Sequence, residues 1–536
     1  MIGGEQATSL GMTDAATEHG ERTRRPWWVW TVPFALVLGV LLVRNAFLFS
    51  TPEYEDADMG ANSILIEQAR RFTLLVGHYS RYKFNHPGPA FLYVQSWGES
   101  LFWAVLHVVP TAWNGQLIAV YALNGVFAAL VVAVGHGWTR SARGTAAVLA
   151  VVLCGAALHP ATFSSDWMPY VLVPAYLAFI VAIASVAAGH GRDAWIAALS
   201  GWFLIHGYAS FLFFVPLLVL AALAALAWPS RRALGSAVRA LLRDHKRIWV
   251  PVVAISAVFA LPMVLELVLH WPGNFGKYFS YSSSPTSGSA NGLWQVAHFA
   301  LWFWWPHAHA WAVALVLCLL AALVAWRLPA SPVRRLCWSL IAFDALSTIL
   351  FAYYAATGIG DLSQYFAGYF YWSAPMILLL VIVLGVLEAL PSLPGLAVAA
   401  TAAVVACAAF AIAPQTRTST SHVDTADLTT GAPTDPTLPA GVAHVAALAG
   451  GRPIVLRFDH NAWPAVTGFL VQAERTGVRA CAADPSWEFM LTSQFICTPA
   501  ELTDGADFRL YVPGPVPHGA HVVFRLRRAI VTSGGK

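Results

Sequence analysis

The chain has 536 residues, 58% hydrophobic and 11% charged. Its mean hydropathy of +0.62 excludes an ordinary soluble globular domain and makes the bilayer its main solvent. A net charge of +4, from Lys and Arg scattered in short runs, excludes the concentrated basic face of a nucleic-acid-binding protein.

A polar tail, residues 1–26, precedes the apolar run Trp27–Phe49. That run is too long for a signal-peptide core and lacks a small-residue cleavage site, so it is predicted to be a retained first span. Arg22, Arg24 and Arg25 hold its start in the cytoplasm, which makes residues 50–115 the first outer loop. Within that loop Pro89–Val109 is apolar. Counting it as a span would put Arg140 and Arg143 outside and reverse every later loop, so it is predicted to be an amphipathic or re-entrant segment. The second span is then about Gln116–Trp138 and the third about Gly144–Phe163. An outer loop with Asp166 follows, and the fourth span ends before Arg192. The fifth and sixth spans, about Trp195–Trp228, turn outside near His206 and Gly207.

The loop Pro229–Ile248, with Arg231, Arg232, Arg239, Arg243, Lys246 and Arg247, is the strongest cytoplasmic marker. A seventh span exits near His270, and His270–His309 is an outer loop with interfacial Trp residues. Later spans leave Arg327, Arg334 and Arg335 inside and Gly358–Tyr369 outside. The sum is a polytopic α-helical membrane protein of about eleven spans, with a transmembrane domain over residues 27–413. A Thr, Ser and Pro-rich linker (414–440) leads to a small extracytoplasmic α/β domain (441–536), read from the strand-like Pro453–Phe458 and the helical Trp463–Gly477. Cys154, Cys318, Cys337 and Cys407 fall in apolar runs as small fillers. Cys481 and Cys497 lie in the polar domain, where a disulfide is chemically permitted.

Polar residues concentrate on the outer side. The first loop opens Glu53-Tyr54-Glu55-Asp56-Ala57-Asp58, continues through Asn62 and Glu67 to Arg70-Arg71, and reaches Gly77-His78-Tyr79-Ser80-Arg81-Tyr82-Lys83-Phe84-Asn85-His86-Pro87-Gly88-Pro89. Alone, the acidic run also fits a solvated loop. Followed by His, Arg and Lys, it supplies a carboxylate base beside cations able to hold a phosphate. Asp166 adds a second carboxylate, and a divalent cation could offset phosphate charge if oxygen ligands converge. His298, His307 and His309 sit among Trp residues and read as an interfacial belt rather than a metal cluster.

A long first outer loop with early acids, a Pro-containing motif before a surface helix and an acid in the next outer loop resembles the GT-C superfamily of membrane glycosyltransferases. That superfamily includes lipid A aminoarabinose transferases, protein O-mannosyltransferases, oligosaccharyltransferases and mycobacterial arabinosyltransferases. The carrying residues are Tyr79-Ser80-Arg81, Asn85-His86-Pro87-Gly88-Pro89 and Asp166-Trp167-Met168-Pro169; the resemblance covers about Trp27–Tyr208. The sequence departs from the aminoarabinose-transferase pattern in having His86-Pro87-Gly88-Pro89 where that pattern has Lys-Pro-Pro.

The resemblance implies transfer of a sugar, with inversion, from a polyprenyl-phosphate donor to a cell-envelope glycan or glycolipid at the extracytoplasmic face of a bacterial plasma membrane. It implies a catalytic carboxylate at Asp58 or Asp56, Asp58 being favoured because Asn62 lies one turn later. Asp166 would assist with acceptor or metal, and Asp58 with Asp166 would hold any Mg²⁺ or Mn²⁺. His86, Arg70, Arg71, Arg81 and Lys83 are candidates for the donor phosphate. Asn62, Tyr79, Asn85, His206, Lys277, Gln364 and Tyr365 are candidates for other substrate contacts. The rival class is a transporter or lipid flippase using the intramembrane Arg44, Glu266 and Asp344; a third reading is a non-catalytic scaffold.

Overall fold

The computed structural model describes residues 25–227, 246–282, 291–305, 309–390, 401 and 434–534. Arg22 and Arg24, residues 229–245 of the basic loop, His307, Cys407, the last predicted span and most of the linker lie outside these residues.

Helix α1 (Trp28–Arg44) is followed by α2 (Ala57–Arg70), whose first turn carries Asp58 and whose last carries Arg70, each charge suiting its end of the helix dipole. Helix α3 (Ala90–Gly98) runs into a π-helical stretch, Glu99–Val105. This is the segment predicted not to span. It lies against α4 (Ala112–Thr139), closely enough that a Cβ on Gly98 would come within 2.5 Å of the Gly115 carbonyl oxygen. Trp97, Leu101, Val105, Leu106 and Val108 are left exposed on it.

Helices α5 (Ala142–Leu158), α6 (Met168–Ala187), α7 (Ala194–Gly207), α8 (Phe211–Ala227) and α9 (Lys246–Leu269) follow. After α10 (Gly273–Ser282) and α11 (Leu293–Trp302) come α12 (Ala310–Arg327), α13 (Pro332–Thr357) and, beyond a 3₁₀ stretch Tyr365–Trp372, α14 (Ser373–Ala389). Among the described residues six segments are long and apolar enough to cross a bilayer: α4, α6, Ile248–Leu269 of α9, α12, α13 and the 3₁₀ stretch with α14. Several helices start where a side chain can satisfy a free backbone N–H. Thr111, Ser141 and Ser331 cap α4, α5 and α13 in this way. Helix α6 is enclosed, whereas α9 and α12 are apolar and outward-facing, the lipid-facing pattern of a bundle edge.

Beyond the linker, α15 (Leu438–Ala449) and α16 (Trp463–Arg475) accompany a five-stranded sheet in the order β2-β1-β3-β5-β4. Its strands are β1 (Ile454–Phe458), β2 (Ala480–Ala482), β3 (Ala506–Tyr511), β4 (His521–Arg525) and β5 (Ile530–Ser533). Strand β1 is parallel to β2 and β3, and β5 is antiparallel to β3 and β4. A disulfide joins Cys481 to Cys497. The folded unit begins somewhat before residue 441, because Thr434 already bridges Glu55 as an antiparallel neighbour.

The two domains are joined through the acidic run. Arg475 of α16 contacts Glu55 at 2.7 Å and Glu99 at 3.5 Å, and Arg528 reaches Asp56 at 3.2 Å. Thr434 donates to Glu53 and the Asp435 N–H to the Tyr54 carbonyl, both at 2.8 Å. Helix α16 packs on α2 at a glycine contact, with the Thr467 hydroxyl donating to the Ala57 carbonyl at 2.9 Å. A Cβ on Gly60 would stand 2.7 Å from Thr467 Oγ1, and one on Gly468 2.8 Å from the Glu55 carbonyl oxygen. Only glycine permits backbones to approach this closely.

Candidate active site

A cavity of about 380 Å³ opens at the end of the bundle where the first loop, the start of α6, the end of α13 and the C-terminal domain meet. Asp58, Asn62, Trp167, Tyr208, Tyr354 and Trp463 are in its wall. Trp463 is the first residue of the helix that follows β1, so the cavity adjoins the carboxyl end of a parallel strand, the usual ligand-facing edge of such sheets.

Among the described residues lining it, Asp58 is the one carboxylate. Its Oδ2 accepts from Trp167 Nε1 at 2.9 Å and its Oδ1 from the Tyr79 hydroxyl. Burial raises its pKa above the usual carboxylate range, against the lowering effect of these two hydrogen bonds. The bonds to Asp58 come from Tyr79 and Trp167 rather than from Asn62, which borders the cavity without bonding it. Ala57, just before Asp58, has φ +49°, a left-handed conformation unusual for a residue with a Cβ and characteristic of constrained sites.

The acids on either side of the Asp58 position face elsewhere. Asp56, the other candidate base, is fully buried against Arg528, and burial pushes its carboxyl up to about 8 despite that cation. Asp166 lies behind the wall, where its Oδ2 accepts from Trp113 Nε1 at 2.8 Å and Gln95 Nε2 at 3.5 Å. Burial pushes it up to about 7, opposed by the Trp113 bond. It therefore anchors the loop that delivers Trp167 to Asp58. Both Asp58 oxygens and the Oδ2 of Asp166 are engaged by N–H or O–H donors, and among the described residues no three His, Cys, Asp or Glu side chains converge. This donor set does not match the oxygen-rich shell of Mg²⁺ or Mn²⁺.

Residues 77–86 form a small hairpin closed by backbone bonds between Gly77 and His86, His78 and His86, and Ser80 and Phe84. It brings His78, Tyr79, Ser80, Arg81, Tyr82 and His86 to the cavity. Arg81 lies at the exposed rim, over the Tyr82 ring at 4.9 Å and donating to the Gln364 side-chain oxygen. His86 Nδ1 accepts the Ala209 N–H at 3.2 Å and its ring stacks on Tyr208 at 4.4 Å. A nitrogen that accepts carries no proton, so His86 is neutral; burial lowers its pKa to about 3. It is a hydrogen-bonding wall residue and not a cationic phosphate clamp.

The other candidates are placed away from the cavity. Arg70 pairs with Glu67 and Glu99, and Arg71 with Glu67. Lys83 is exposed at the hairpin turn with φ +64°. Asn85 is tied by its backbone to Asn274 and Tyr278. His206 accepts the Ala90 N–H at Nδ1 and donates from Nε2 to the Phe259 carbonyl, which fixes the Gly88-Pro89 turn. Lys277 is exposed on α10, and Tyr365 stacks on Trp302 at 4.3 Å. Tyr208, Tyr354 and Trp463 enter the wall although no pattern in the sequence marks them. His78 and Trp167 lie in stretches that the sequence singles out, but those stretches pointed to their neighbours, Asp166 in the second case.

No protein-family model matches the chain, and no curated protein matches it. Solved structures do. ArnT from Cupriavidus metallidurans in the apo state superposes with a TM-score of 0.54 at 12% identity, over 95% of this chain and 99% of that one. The same protein bound to undecaprenyl phosphate gives 0.51 at 12% identity, over 95% and 100%. The chain is thus a multi-pass membrane protein with the ArnT fold, the architecture that its resemblance to the GT-C superfamily implied.

Proposed function

We propose that the protein is a glycosyltransferase that takes one sugar from a polyprenyl-phosphate carrier and attaches it to a hydroxyl of a cell-envelope glycan or glycolipid. The observation that carries this reading is Asp58, a single carboxylate held by Tyr79 and Trp167 in the wall of a partly enclosed cavity, within the fold of a protein whose structure holds undecaprenyl phosphate. In the reaction the acceptor oxygen forms a bond to the anomeric carbon as the bond from that carbon to the phosphate oxygen breaks. The acceptor proton passes to Asp58 and the electron pair leaves on the lipid phosphate. One displacement inverts the anomeric centre.

Burial makes Asp58 a stronger base than an exposed carboxylate, and its two donors fix the direction in which it accepts the proton. Arg81, held by Gln364 and Tyr82 at the open rim, is the cation available to the departing phosphate. No step is routed through a metal, because the acids do not offer a cation site.

Charge supports an extracytoplasmic cavity. Met168 at the start of α6 borders the cavity, while Ala187 and Ala188, about 30 Å away along the helix, lie beside Arg334 and Arg335. Arg25 pairs at 2.6 Å with Asp193, just beyond the same end of α6. Short basic loops stay cytoplasmic, so the opposite end, with the cavity and the C-terminal domain, faces out.

The test is reconstitution in liposomes with labelled polyprenyl-phosphate sugars, followed by determination of the product anomer. Protein-dependent transfer with inverted configuration is expected; retention of configuration would rule out the single displacement. Lipid movement between leaflets without transfer would favour the transporter.

A further inference from the structure

A two-stranded hairpin standing alone is marginal in water, yet the hairpin of residues 77–86 carries Tyr79, one of the two side chains that donate to Asp58. Something outside the hairpin must hold it. In an antiparallel pair, opposite residues alternate between those that exchange backbone hydrogen bonds and those that do not. The His86 N–H donates to the His78 carbonyl and the Ser80 N–H to the Phe84 carbonyl, each at 2.7 Å. Tyr79 and Asn85 bridge each other between these bonds, so they are a pair that does not exchange them. The N–H and carbonyl of Asn85 therefore point away from Tyr79, where other groups must satisfy them.

Asn274, in the first turn of α10, satisfies both. The Asn85 N–H donates to Asn274 Oδ1 at 2.9 Å, and Asn274 Nδ2 donates to the Asn85 carbonyl at 2.5 Å. A side-chain amide offers acceptor and donor together, as the backbone of a third strand would. Tyr278, one turn on, donates to the same carbonyl at 2.6 Å and accepts from Asn274 Nδ2 at 2.7 Å. Asn274 is itself fixed, being 5% exposed with its backbone N–H donating to Glu266 Oε1 of α9 at 2.8 Å. Rings close the contact, Phe84 on Tyr278 at 5.0 Å and Tyr82 on Tyr281 at 4.5 Å. A continuous set of bonds thus runs from α9 and α10 through Asn85 and Tyr79 to Asp58.

We propose that Asn274 is a positioning residue that, through Asn85 and its hairpin partner Tyr79, sets the Tyr79 phenol against Asp58. This rests on the reading of Asp58 as the base. The test uses purified full-length protein and whichever of four undecaprenyl-phosphate sugars, a hexose, a pentose, an amino sugar or a uronic acid, wild type turns over fastest. Asn274→Ala should speed amide hydrogen exchange in residues 77–86 and lower kcat about tenfold, the scale of a small misplacement beside reacting atoms. The Tyr79 bond lowers the Asp58 pKa against burial, so loosening it should move the acid limb of kcat/KM to higher pH. The other titratable groups around the cavity are His78, Arg81, Tyr82 and His86 of the hairpin and Tyr208 and Tyr354 across from it; Asp58 is the carboxylate among the described lining residues, and the acid limb reports it. A Tyr79→Phe background separates positioning from general loosening. There, adding Asn274→Ala should change kcat less than about twofold and leave the acid limb where Tyr79→Phe puts it. Tyr278→Phe, which removes one bond to Asn85, should act in the same direction as Asn274→Ala and serves if that variant misfolds.

Hairpin exchange at the wild-type rate in folded Asn274→Ala overturns the proposal. So does an acid limb that Asn274→Ala leaves unmoved, or an equal loss of kcat in the wild-type and Tyr79→Phe backgrounds. Absence of transfer from all four donors by wild type removes the reading of Asp58 as the base and the role of Asn274 with it. Hairpin exchange in Asn274→Ala, which needs no turnover, tells that result from a failure of the contact itself.

Discussion

Of the four acids in the run from Glu53 to Asp58, three hold the C-terminal domain and one faces the cavity. Their spacing gives no hint of this division, since the partners of Glu55 and Asp56 are Arg475 and Arg528, more than 400 residues later in the chain. Composition marked the loop as chemically rich, and the resemblance narrowed the base to Asp56 or Asp58, but only the folded C-terminal domain separates them. The difference has a pH signature. A base must be ionised, and burial raises the Asp58 pKa, so kcat/KM should fall as pH drops, with a midpoint above the ordinary carboxylate value of about 3.9. A pH–rate profile flat down to ordinary carboxylate values would argue against Asp58 as the base. A second prediction concerns His206. A Cβ on Gly88 would stand 2.3 Å from its Nδ1, and that ring is bonded on both sides. Gly88→Ala should destabilise the protein by about 1–3 kcal/mol and shift the loop bearing His86. Differential scanning fluorimetry and KM measure the two effects; an unchanged Tm would show that the turn is looser than this packing implies.

At the level of elements, hydropathy made most helices legible, because apolar length and basic loops are read directly from composition. The non-spanning reading of Pro89–Val109 rested on charge parity; in the structure α3 and the π-helical stretch pack beside α4 with an exposed apolar edge. The hairpin of residues 77–86 was opaque. Its shape depends on local backbone bonds and on Asn274 and His206, not on any periodic pattern. The contact of α2 with α16 was opaque for a similar reason, because Gly60 and Gly468 signal nothing until they face each other's helices. Arg475 is central to this contact. It is 16% exposed and neutralises the buried Glu55 and Glu99, and removing one partner of a buried charge set typically costs about 3–5 kcal/mol. Arg475→Ala should therefore loosen the C-terminal domain, seen as faster amide hydrogen exchange in α2 and α16. Exchange at the wild-type rate would mean that the other contacts suffice. Trp463 lines the cavity and also packs on the core of the C-terminal domain, so Trp463→Ala should lower both kcat/KM and Tm while leaving the Arg475 ion pairs in place.

The molecule as a whole is a membrane bundle that leaves one end open and completes it with a second domain. The cavity wall takes residues from positions 58 to 463, so its parts are read separately in the sequence and come together only through the fold. Similarity of fold at 12% identity lies beyond what residue matching detects, which is why the resemblance rested on loop layout and a few short motifs. The central claim is that Asp58 is the base and Asp56 is structural. The most direct measurement is sugar transfer from a polyprenyl-phosphate donor by wild type, Asp58→Asn and Asp56→Asn in parallel, each with its Tm. The account predicts that Asp58→Asn keeps its Tm and loses about 10²–10⁴-fold in kcat, while Asp56→Asn loses stability and its folded fraction still transfers. Transfer retained by folded Asp58→Asn, or abolished in folded Asp56→Asn alone, would contradict it.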